Sequence, residues 1–317
     1  MKKVVVIGDI ILDRYVFGKV NRTSPEAPVS VLDEKYVESQ LGGAANVARC
    51  IKNIGEDNIE VQLIGIVGDD DEGNKVELLC YKNNINPCVL HRLVGHQTTL
   101  KTRYMDNGHH LLRVDREKEM DYNVISSVNI GALLKDASVV VMSDYDKGAL
   151  NSNTINLVID YCNENGIPTV VDPKFANFWE YNNATIFKPN RKELTHALYH
   201  KFGKHYIEQY DIDVDIFTMA TKANTKLQCK SMVVTDGERG MSLIQNGEVH
   251  FKADVRDIID VTGAGDMVAS TIAYFIATDV NITDAVKYAN IAAGLSVEQV
   301  GCGQVSLGEI INSRRNK

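Results

Sequence analysis

The stretch Asp260–Asp266, with the sequence DVTGAGD, carries the most information about the fold. An unbroken run of small and apolar residues follows it, so the pattern predicts a glycine-rich turn that opens a helix. Unpaired N–H groups at a helix start, together with the positive end of the helix dipole, hold negative charge. The sequence therefore predicts an anion site at the backbone of Gly263, Ala264 and Gly265, with Asp266 at its mouth.

Asp266 is the candidate catalytic side chain of this turn. A carboxylate beside an anion site can accept a proton from an attacking hydroxyl while the turn stabilises charge on a transferred phosphoryl group. We predict that Asp266 is the general base of such a reaction. The competing interpretation, which the segment alone leaves open, is an ordinary helix N-terminus with an acidic first turn.

A second glycine-rich helix start, Leu41–Ala48, has the sequence LGGAANVA. Asn46 falls in its first turn and offers both a donor and an acceptor, which suit sugar hydroxyls. The two motifs, in this order, resemble the two signatures of the ribokinase-like (PfkB) carbohydrate kinases, and the resemblance extends over nearly the whole chain. In that family the first motif binds the sugar, which implies sugar contacts from Gly42, Gly43 and Asn46, and the second carries the base. The resemblance also implies ATP and Mg²⁺.

Four further segments resemble, more narrowly, the heptose-7-phosphate kinase branch of that family. They are Gly8–Tyr15, Ser24–Val29 (SPEAPV), Ser143–Gly148 and Val171–Lys174. The branch implies ATP-dependent phosphorylation of the 1-hydroxyl of D-glycero-β-D-manno-heptose 7-phosphate. The product would be the 1,7-bisphosphate, a precursor of ADP-heptose for lipopolysaccharide or another heptosylated glycan. Some relatives also carry a C-terminal nucleotidyltransferase; the motifs here match the kinase part, so we expect that second activity on a separate chain.

Three alternative functions are compatible with the fold class or with the sugar motif. A kinase of another sugar, such as ribose or fructose 1-phosphate, would use the same scaffold. A non-catalytic sugar-binding regulator would keep the sugar site, but it would have no need of Asp266 and the anion turn. A nicotinamide-dependent dehydrogenase is disfavoured because no Gly-x-Gly-x-x-Gly follows the first predicted strand, and a Gly-x-x-x-x-Gly-Lys-[Ser/Thr] P-loop is also absent from the sequence.

The composition is that of an ordinary globular protein, with 317 residues, 44% of them hydrophobic and 24% charged. The net charge of -8 argues against a nucleic-acid partner, and no apolar stretch reaches the ~18 residues of a membrane span. Asp9 and Asp13 interrupt the apolar start of the chain, which favours a buried strand over a signal peptide. Six scattered cysteines without a Cys-x-x-Cys pair disfavour zinc and redox sites. We expect a cytoplasmic protein without a membrane partner.

Short apolar runs alternate with helical stretches along the chain. Continuous apolar runs mark strands that are buried on both faces, and their alternation with helices favours a mostly parallel sheet covered on both sides. The predicted core strands are Lys3–Gly8, Val61–Val67, Val139–Ser143, Thr169–Asp172, Thr185–Lys188 and Met232–Thr235, and the clearest helices are Ala44–Ile54, Glu72–Asn83 and Asn153–Asn165. We predict a single domain, 1–317, of the ribokinase-like α/β class, with a three-layer, doubly wound, mostly parallel sheet.

Two segments, about 15–34 and 97–115, alternate polar and apolar residues between turn signals, which predicts short exposed strands. In the resembled family these positions form a small β-sheet lid over the sugar that often pairs two subunits. The resemblance therefore implies a homodimer through the lid. Residues 199–230 are polar and weakly periodic, and we predict that they form surface helices.

Several polar residues are candidates for contacts with the sugar. Asp13 and Asp144 follow predicted strands, and ligands of such sheets bind beyond the carboxyl ends of the strands. Lys101 and Arg103 alternate on the second lid segment, so they point to one face and can hold a phosphate there. Lys147 is a further cation for the same group. Surface charge on the lid is the competing interpretation.

The nucleotide is expected to contact residues from further along the chain. The resemblance implies this role for Lys174, Asn190, Glu193, Thr235, Gly237 and Asn290. It also implies that Glu193 organises Mg²⁺ through water, although Asn190 and Glu193 have the spacing of a helix capping box as well. Relatives bind a monovalent cation partly through the position of Asp260. Here the segment Gly301–Gly303 replaces the usual hydroxyl-bearing stretch. The sequence therefore leaves open whether the protein depends on K⁺.

Overall fold

The computed structural model describes residues 1–118, 125, 129–203, 215–245, 247–254 and 256–315. Within these residues the strands are β1 Lys2–Thr23, β2 Ser30–Gly43, β3 Ile59–Gly68, β4 Asn86–Leu93, β5 Thr99–Asp106, β6 His109–Arg116, β7 Val139–Ser143, β8 Thr169–Asp172, β9 Ile186–Phe187, β10 Ser231–Thr235, β11 Met241–Ile244 and β12 Glu248–Phe251. The helices are α1 Ala44–Gly55, α2 Asp71–Lys82, α3 Ile130–Leu134, α4 Ser152–Glu164, α5 Arg191–Phe202, α6 Ile216–Leu227, α7 Ala264–Ala277, α8 Ile282–Ser296 and α9 Leu307–Arg315.

The main sheet has the strand order β12-β11-β10-β9-β8-β7-β1-β3-β4. The strands from β10 to β4 run parallel, and β11 and β12 form an antiparallel edge. Alternate residues of β1 enter different cores: Val4 and Val6 pack with α1 and α7, whereas Val5 and Ile7 pack with α4 and α6. Both faces of the sheet are therefore covered, and the doubly wound, three-layer α/β class predicted from the sequence is confirmed.

Strand β1 belongs to two sheets. Its first half, up to Asp9, pairs with β3 and β7 in the main sheet. From Ile10 and Ile11 onward it pairs with β2 and β5, and β6 extends this second sheet beyond β5. The two segments predicted as the lid, 15–34 and 97–115, lie in these four strands. The second sheet begins before Tyr15 because the apolar run of β1 continues through the change of partner.

The predicted elements and the observed ones differ mainly at the edges of the sheet. All six predicted core strands are present, and the three predicted helices match α1, α2 and α4 to within a residue at each end. The pattern of the sequence does not predict β4, β11 or β12. Within 199–230 the structure has the end of α5 and all of α6, and 204–214 lie outside the described residues. None of the described helices is both long and apolar enough to cross a bilayer.

Candidate active site

The glycine-rich turn lies at the start of α7, as predicted. Gly263 precedes the helix with a φ of 77°, and a Cβ at this position would lie 3.0 Å from the Cys302 sulfur, so only glycine fits there. A Cβ at Gly265 would meet only the Lys188 Nζ atom, at 3.8 Å. The N–H groups of the first helical turn have no acceptor within the helix, although the Ala264 N–H donates to the Val261 carbonyl over 3.2 Å. The turn thus presents backbone donors to an open space that Lys188 borders.

Asp266 is buried in the first turn of α7, with 3% of its surface exposed. The Asn46 amide donates to its Oδ2 atom over 2.7 Å, and the Tyr145 hydroxyl donates to its Oδ1 atom over 2.5 Å. Burial raises the pKa of Asp266, whereas the two hydrogen bonds and the charge of Lys188 act in the opposite direction. A buried carboxylate with a raised pKa and a fixed orientation suits a general base.

The predicted sugar motif packs directly beside this carboxylate. Gly43 has a φ of 57° at the start of α1, which brings Asn46 onto Asp266. A Cβ at Gly42 would lie 2.3 Å from the Asp13 Oδ2 atom, so glycine lets Asp13 approach the backbone. Arg49 donates to the other end of the Asn46 amide over 2.8 Å. The structure therefore brings the predicted sugar residues and the predicted base into one place.

The predicted phosphate cations lie beside the sugar motif. Arg103 forms an ion pair with Asp13. Lys101, from β5, and Lys147, from the loop after β7, both bind the carboxylate of Glu117, the second over 2.6 Å. Burial opposes the ionisation of Glu117, but hydrogen bonds and charges from the two lysines outweigh it and lower its pKa. Two cations from separate parts of the fold therefore converge on Glu117, and Lys101 also binds the Asp115 Oδ2 atom over 3.1 Å.

The loop that carries Lys147 is fixed by two buried acids. Asp9 accepts hydrogen bonds from the backbone N–H groups of Tyr145 at 2.7 Å, Lys147 at 3.1 Å and Ala149 at 2.9 Å. Burial and the neighbouring carboxylate of Asp144 raise the pKa of Asp9 to about 7.

Asp144, predicted as a sugar contact, has three donors within the chain. They are the Asp146 N–H at 2.8 Å, the Asn177 amide at 3.0 Å and the Tyr181 hydroxyl at 2.7 Å. Asp144 has 1% of its surface exposed. Both carboxylate oxygens are thus engaged in holding the loop.

A cavity of about 550 Å³ opens on the other side of the anion turn. Its lining includes three of the predicted nucleotide residues and two residues of the turn: Thr235, Gly237, Asn290, Ala264 and Gly265. Most of the remaining wall is apolar, with Met241, Val261, Val268, Ala293 and Val297. An apolar pocket with a few polar groups is typical of a site for a planar ligand such as a nucleobase.

Two ion pairs lie close enough to Asp266 to act on its charge. Lys174 binds the Glu193 Oε1 atom over 2.5 Å, and Lys188 binds Asp172 over 2.9 Å. Burial raises the pKa of Asp172 to about 6, although Lys188 counteracts it. Asn190 and Glu193 form a full capping box at the start of α5. Their contacts are therefore those of the competing interpretation of their spacing, a helix cap. The other Glu193 oxygen accepts the Asn190 N–H over 2.8 Å.

Asp260, at the position of the predicted monovalent cation, is engaged within the chain. Its Oδ1 atom accepts from the Thr262 N–H at 2.9 Å and the Thr262 hydroxyl at 2.7 Å, and its Oδ2 atom accepts from the Gly301 N–H at 2.9 Å. Burial opposes its ionisation, but these hydrogen bonds outweigh burial and lower its pKa. Asp260 therefore ties the turn to the Gly301 loop.

Several residues of the site were not predicted from the sequence, among them Tyr145 and Lys188. Tyr145 lies in the SDYDKG segment, but nothing in its spacing shows that its hydroxyl reaches a helix 121 residues away. Lys188 is 2% exposed, directly follows β9 and stands two residues before Asn190. A lysine at the carboxyl end of a buried strand was the signal that could have revealed it.

Fold and site together are those of a small-molecule kinase, with a glycine-rich helix start, a buried carboxylate in its first turn and a cavity of about 550 Å³ beside it. A model of the pfkB family of carbohydrate kinases matches residues 1–307. The chain belongs to this family and is an ATP-dependent carbohydrate kinase, which confirms the resemblance drawn from its motifs.

The curated relatives include several proteins with one name. The bifunctional protein HldE of Coxiella burnetii (strain Dugway 5J108-111) is 36% identical over 312 residues, and HldE of Caulobacter sp. (strain K31) is 36% identical over 311. Each match covers 97% of this chain and 62% of the relative. The chain thus spans less than two thirds of the length of these relatives.

Solved structures show the same fold at low identity. Phosphofructokinase-2 from Escherichia coli, in complex with potassium, has a TM-score of 0.76 and 15% identity, with 100% of this chain and 99% of that chain covered. Ribokinase from Thermotoga maritima has a TM-score of 0.74 and 18% identity, with 100% and 99% covered.

Proposed function

We propose that this kinase transfers the γ-phosphoryl group of ATP to the 1-hydroxyl of D-glycero-β-D-manno-heptose 7-phosphate and releases the 1,7-bisphosphate. The narrower resemblance of four sequence segments to heptose-7-phosphate kinases supports this substrate, and so does the similarity to proteins named HldE. The product would feed the synthesis of ADP-heptose for lipopolysaccharide or another heptosylated glycan.

The observation that carries the proposal is the convergence of Lys101 and Lys147 on Glu117. Two lysines held at one carboxylate form a site for an anion, and Arg103 lies in the same sheet beside Asp13. A sugar that carries its own phosphate needs such cations, whereas a neutral sugar does not. In this proposal the 7-phosphate binds where Glu117 now neutralises the lysines.

The sugar hydroxyls are assigned to the residues around the base. Asp13, Asn46 and the backbone of Gly42 and Gly43 lie beside Asp266 and offer donors and acceptors for hydroxyl groups. We assign Asp144 to the loop instead, because its oxygens already accept from three donors of the chain.

The geometry supports a direct transfer. Asp266 accepts the proton of the 1-hydroxyl while that oxygen bonds to the γ-phosphorus, the bond from phosphorus to the bridging oxygen breaks, and ADP leaves. A carboxylate has about four acceptor positions, so the two donors on Asp266 leave room for the sugar hydroxyl. The N–H groups of Gly263, Ala264 and Gly265 are assigned to the negative charge of the transferred group.

The nucleotide is assigned to the cavity of about 550 Å³, with Thr235, Gly237 and Asn290 along it. Lys174 and Asn190 lie on the side toward the base. No cluster of three or more acidic, His or Cys ligands occurs among the described residues. Mg²⁺ fits nevertheless, because it retains water ligands besides the phosphates, and Glu193, whose oxygens bind Lys174 and the Asn190 N–H, would hold it through water. When bound, it would neutralise charge on the ATP phosphates.

Potassium is not part of the proposal. The relative solved with potassium is 15% identical, which shows the fold alone. The oxygens of Asp260 already accept from Thr262 and Gly301. Comparing turnover in potassium and in sodium salts at equal ionic strength would test this exclusion.

We also propose a cytoplasmic homodimer formed through the lid. Apolar side chains exposed on β2 and β6 support the lid as an interface: Tyr36, Val37, Leu111, Leu112 and Val114. Five described cysteines are buried and unbridged, as suits a reducing compartment. Sedimentation of the wild type and of Leu112→Asp would test the dimer, since a charge in the interface should yield monomers.

Fructose 1-phosphate is the strongest alternative substrate, since the same lysines could read any sugar phosphate. Ribose is disfavoured, because it would leave these cations without a substrate anion. The heptose proposal is tested by replacing Lys101 or Lys147 with alanine and assaying both heptose 7-phosphate and the unphosphorylated heptose.

Loss of one hydrogen bond to a charged group should weaken the phosphorylated sugar about ten- to a hundredfold. The unphosphorylated sugar and ATP should be much less affected. Lys19→Ala, which changes an exposed lysine on the lid portion of β1, serves as the control. Equal losses on both sugars would mean that the lysines support the lid and do not bind the phosphate.

A further inference from the structure

Tyr145 connects the loop after β7 to the base on α7. Its hydroxyl donates to the Asp266 Oδ1 atom over 2.5 Å. Its backbone N–H donates to the buried carboxylate of Asp9 over 2.7 Å, and the Lys174 ammonium lies 5.4 Å from the centre of its ring. Both the backbone and the ring of this tyrosine are therefore held in place by other parts of the fold.

The contact matters because of where it falls on the carboxylate. Asn46 donates to one oxygen of Asp266 and Tyr145 donates to the other. One donor would leave the carboxylate free to turn about its last bond, whereas two donors on different oxygens fix its plane. The remaining acceptor positions then have a defined direction for the incoming hydroxyl.

We propose that Tyr145 is a positioning residue of the phosphoryl transfer, which orients the Asp266 carboxylate toward the attacking sugar hydroxyl. The inference rests on the role of Asp266 as the base in the proposed function, and it does not depend on which sugar the enzyme accepts. Tyr145 acts through Asp266 and needs no contact with substrate.

The hydroxyl also affects the protonation of the base. A donor to the charged form of a carboxylate favours that form, so Tyr145 opposes the increase in the pKa of Asp266 that burial causes. The other charged or titratable groups that act on Asp266 from the surrounding elements are Lys188, Asp13, Asp172, Lys174, Cys50 and Cys302. Tyr145→Phe changes none of these side chains, so a shift of the Asp266 titration can be attributed to the lost hydroxyl.

The test is the pH dependence of kcat in Tyr145→Phe, which keeps the ring under Lys174. In the plot of kcat against pH, loss of one hydrogen bond to a charged group should move the acidic limb to higher pH by about one unit or more. It should also lower kcat about tenfold or more. KM for ATP and for the sugar should change little. An unshifted limb with normal kcat would overturn the proposal.

Tyr181→Phe is the matched control. Tyr181 donates to Asp144, which holds the same loop, over 2.7 Å. Its loss should lower thermal stability without shifting the limb. If both variants shift the limb equally, Tyr145 acts only through the loop and the positioning role is wrong.

A second variant covers the case in which Tyr145→Phe does not fold. Site-specific 3-fluorotyrosine at position 145 keeps the hydroxyl and makes it a stronger donor, so the acidic limb should move downward. No movement, or an upward one, would contradict the proposal. Asp266→Asn, assayed beside these proteins, separates the two claims: if it loses turnover while both Tyr145 variants keep the wild-type limb, only the positioning role fails.

Discussion

Asp266, which we propose as the base, shows how a fold can orient and tune a common side chain. It comes from the first turn of α7, its donors come from α1 and from the loop after β7, and burial raises its pKa. The sequence predicted the turn and the carboxylate from local spacing alone. It could not predict Tyr145, because a contact between segments 121 residues apart leaves no periodic signal.

Replacing Asp266 with asparagine tests the base directly. The amide can still accept from Asn46 and donate to the Tyr145 oxygen, so the geometry should survive. We expect kcat to fall by ~10²–10⁴-fold, with ATP and sugar affinities close to those of the wild type. Steady-state kinetics and calorimetric binding on one preparation provide the measurement, and near-normal turnover would remove Asp266 as the base.

The two glycines of the turn should respond differently to alanine. Gly265→Ala places a methyl group where only Lys188 lies within contact distance, so folding should be retained and phosphoryl transfer obstructed. Gly263→Ala forces a φ of 77° on alanine and presses on Cys302, so stability should fall as well. Melting temperature and kcat, measured for both variants, separate these outcomes. A fully active Gly265→Ala protein would show that the turn is structural only.

At the scale of elements, the strands buried on both faces were predictable and the edges were not. Runs such as Val139–Ser143 are continuous and apolar because α-helical layers cover both sides. Strand β4 contains Pro87 and several polar residues, so it has no such run. No sequence pattern marks the point, at Asp9 and Ile10, where β1 passes from one sheet to the other, because the residues on both sides of it are buried.

The prediction for the elements of the fold concerns Glu117, which joins the lid to the loop after β7 through its ion pairs with Lys101 and Lys147. Glu117→Gln removes a negative charge from the proposed phosphate site. The KM for the phosphorylated sugar should fall about fivefold, the effect of ~1 kcal/mol of repulsion in a solvated site.

The exposed residue Glu34 on β2, changed to glutamine, is the control and should leave KM unaltered. A higher KM in Glu117→Gln would mean that Glu117 holds the lysines in their working positions and does not compete with the substrate.

At the scale of the whole molecule, a net charge of -8 does not exclude cations placed locally on the lid and in the loop after β7. Lys101, Arg103 and Lys147 are each paired with an acid of the chain, so the site is neutralised in the free protein. The family and the fold follow from the motifs, and so does the proposal that Asp266 is the base. In the proposed function, the choice of sugar depends on how the cations of β5 and of the loop after β7 are spaced, which no single segment of sequence specifies.

A coupled ADP-release assay of the wild-type enzyme against a panel of sugars tests the central claim most directly. The panel contains heptose 7-phosphate, unphosphorylated heptose, fructose 1-phosphate and ribose, each with saturating ATP and Mg²⁺. We expect the highest kcat/KM for heptose 7-phosphate, about tenfold or more above the unphosphorylated heptose, and phosphorus NMR should place the new phosphate on the anomeric oxygen. A higher kcat/KM for ribose or fructose 1-phosphate, or equal values for the two heptoses, would contradict the central claim.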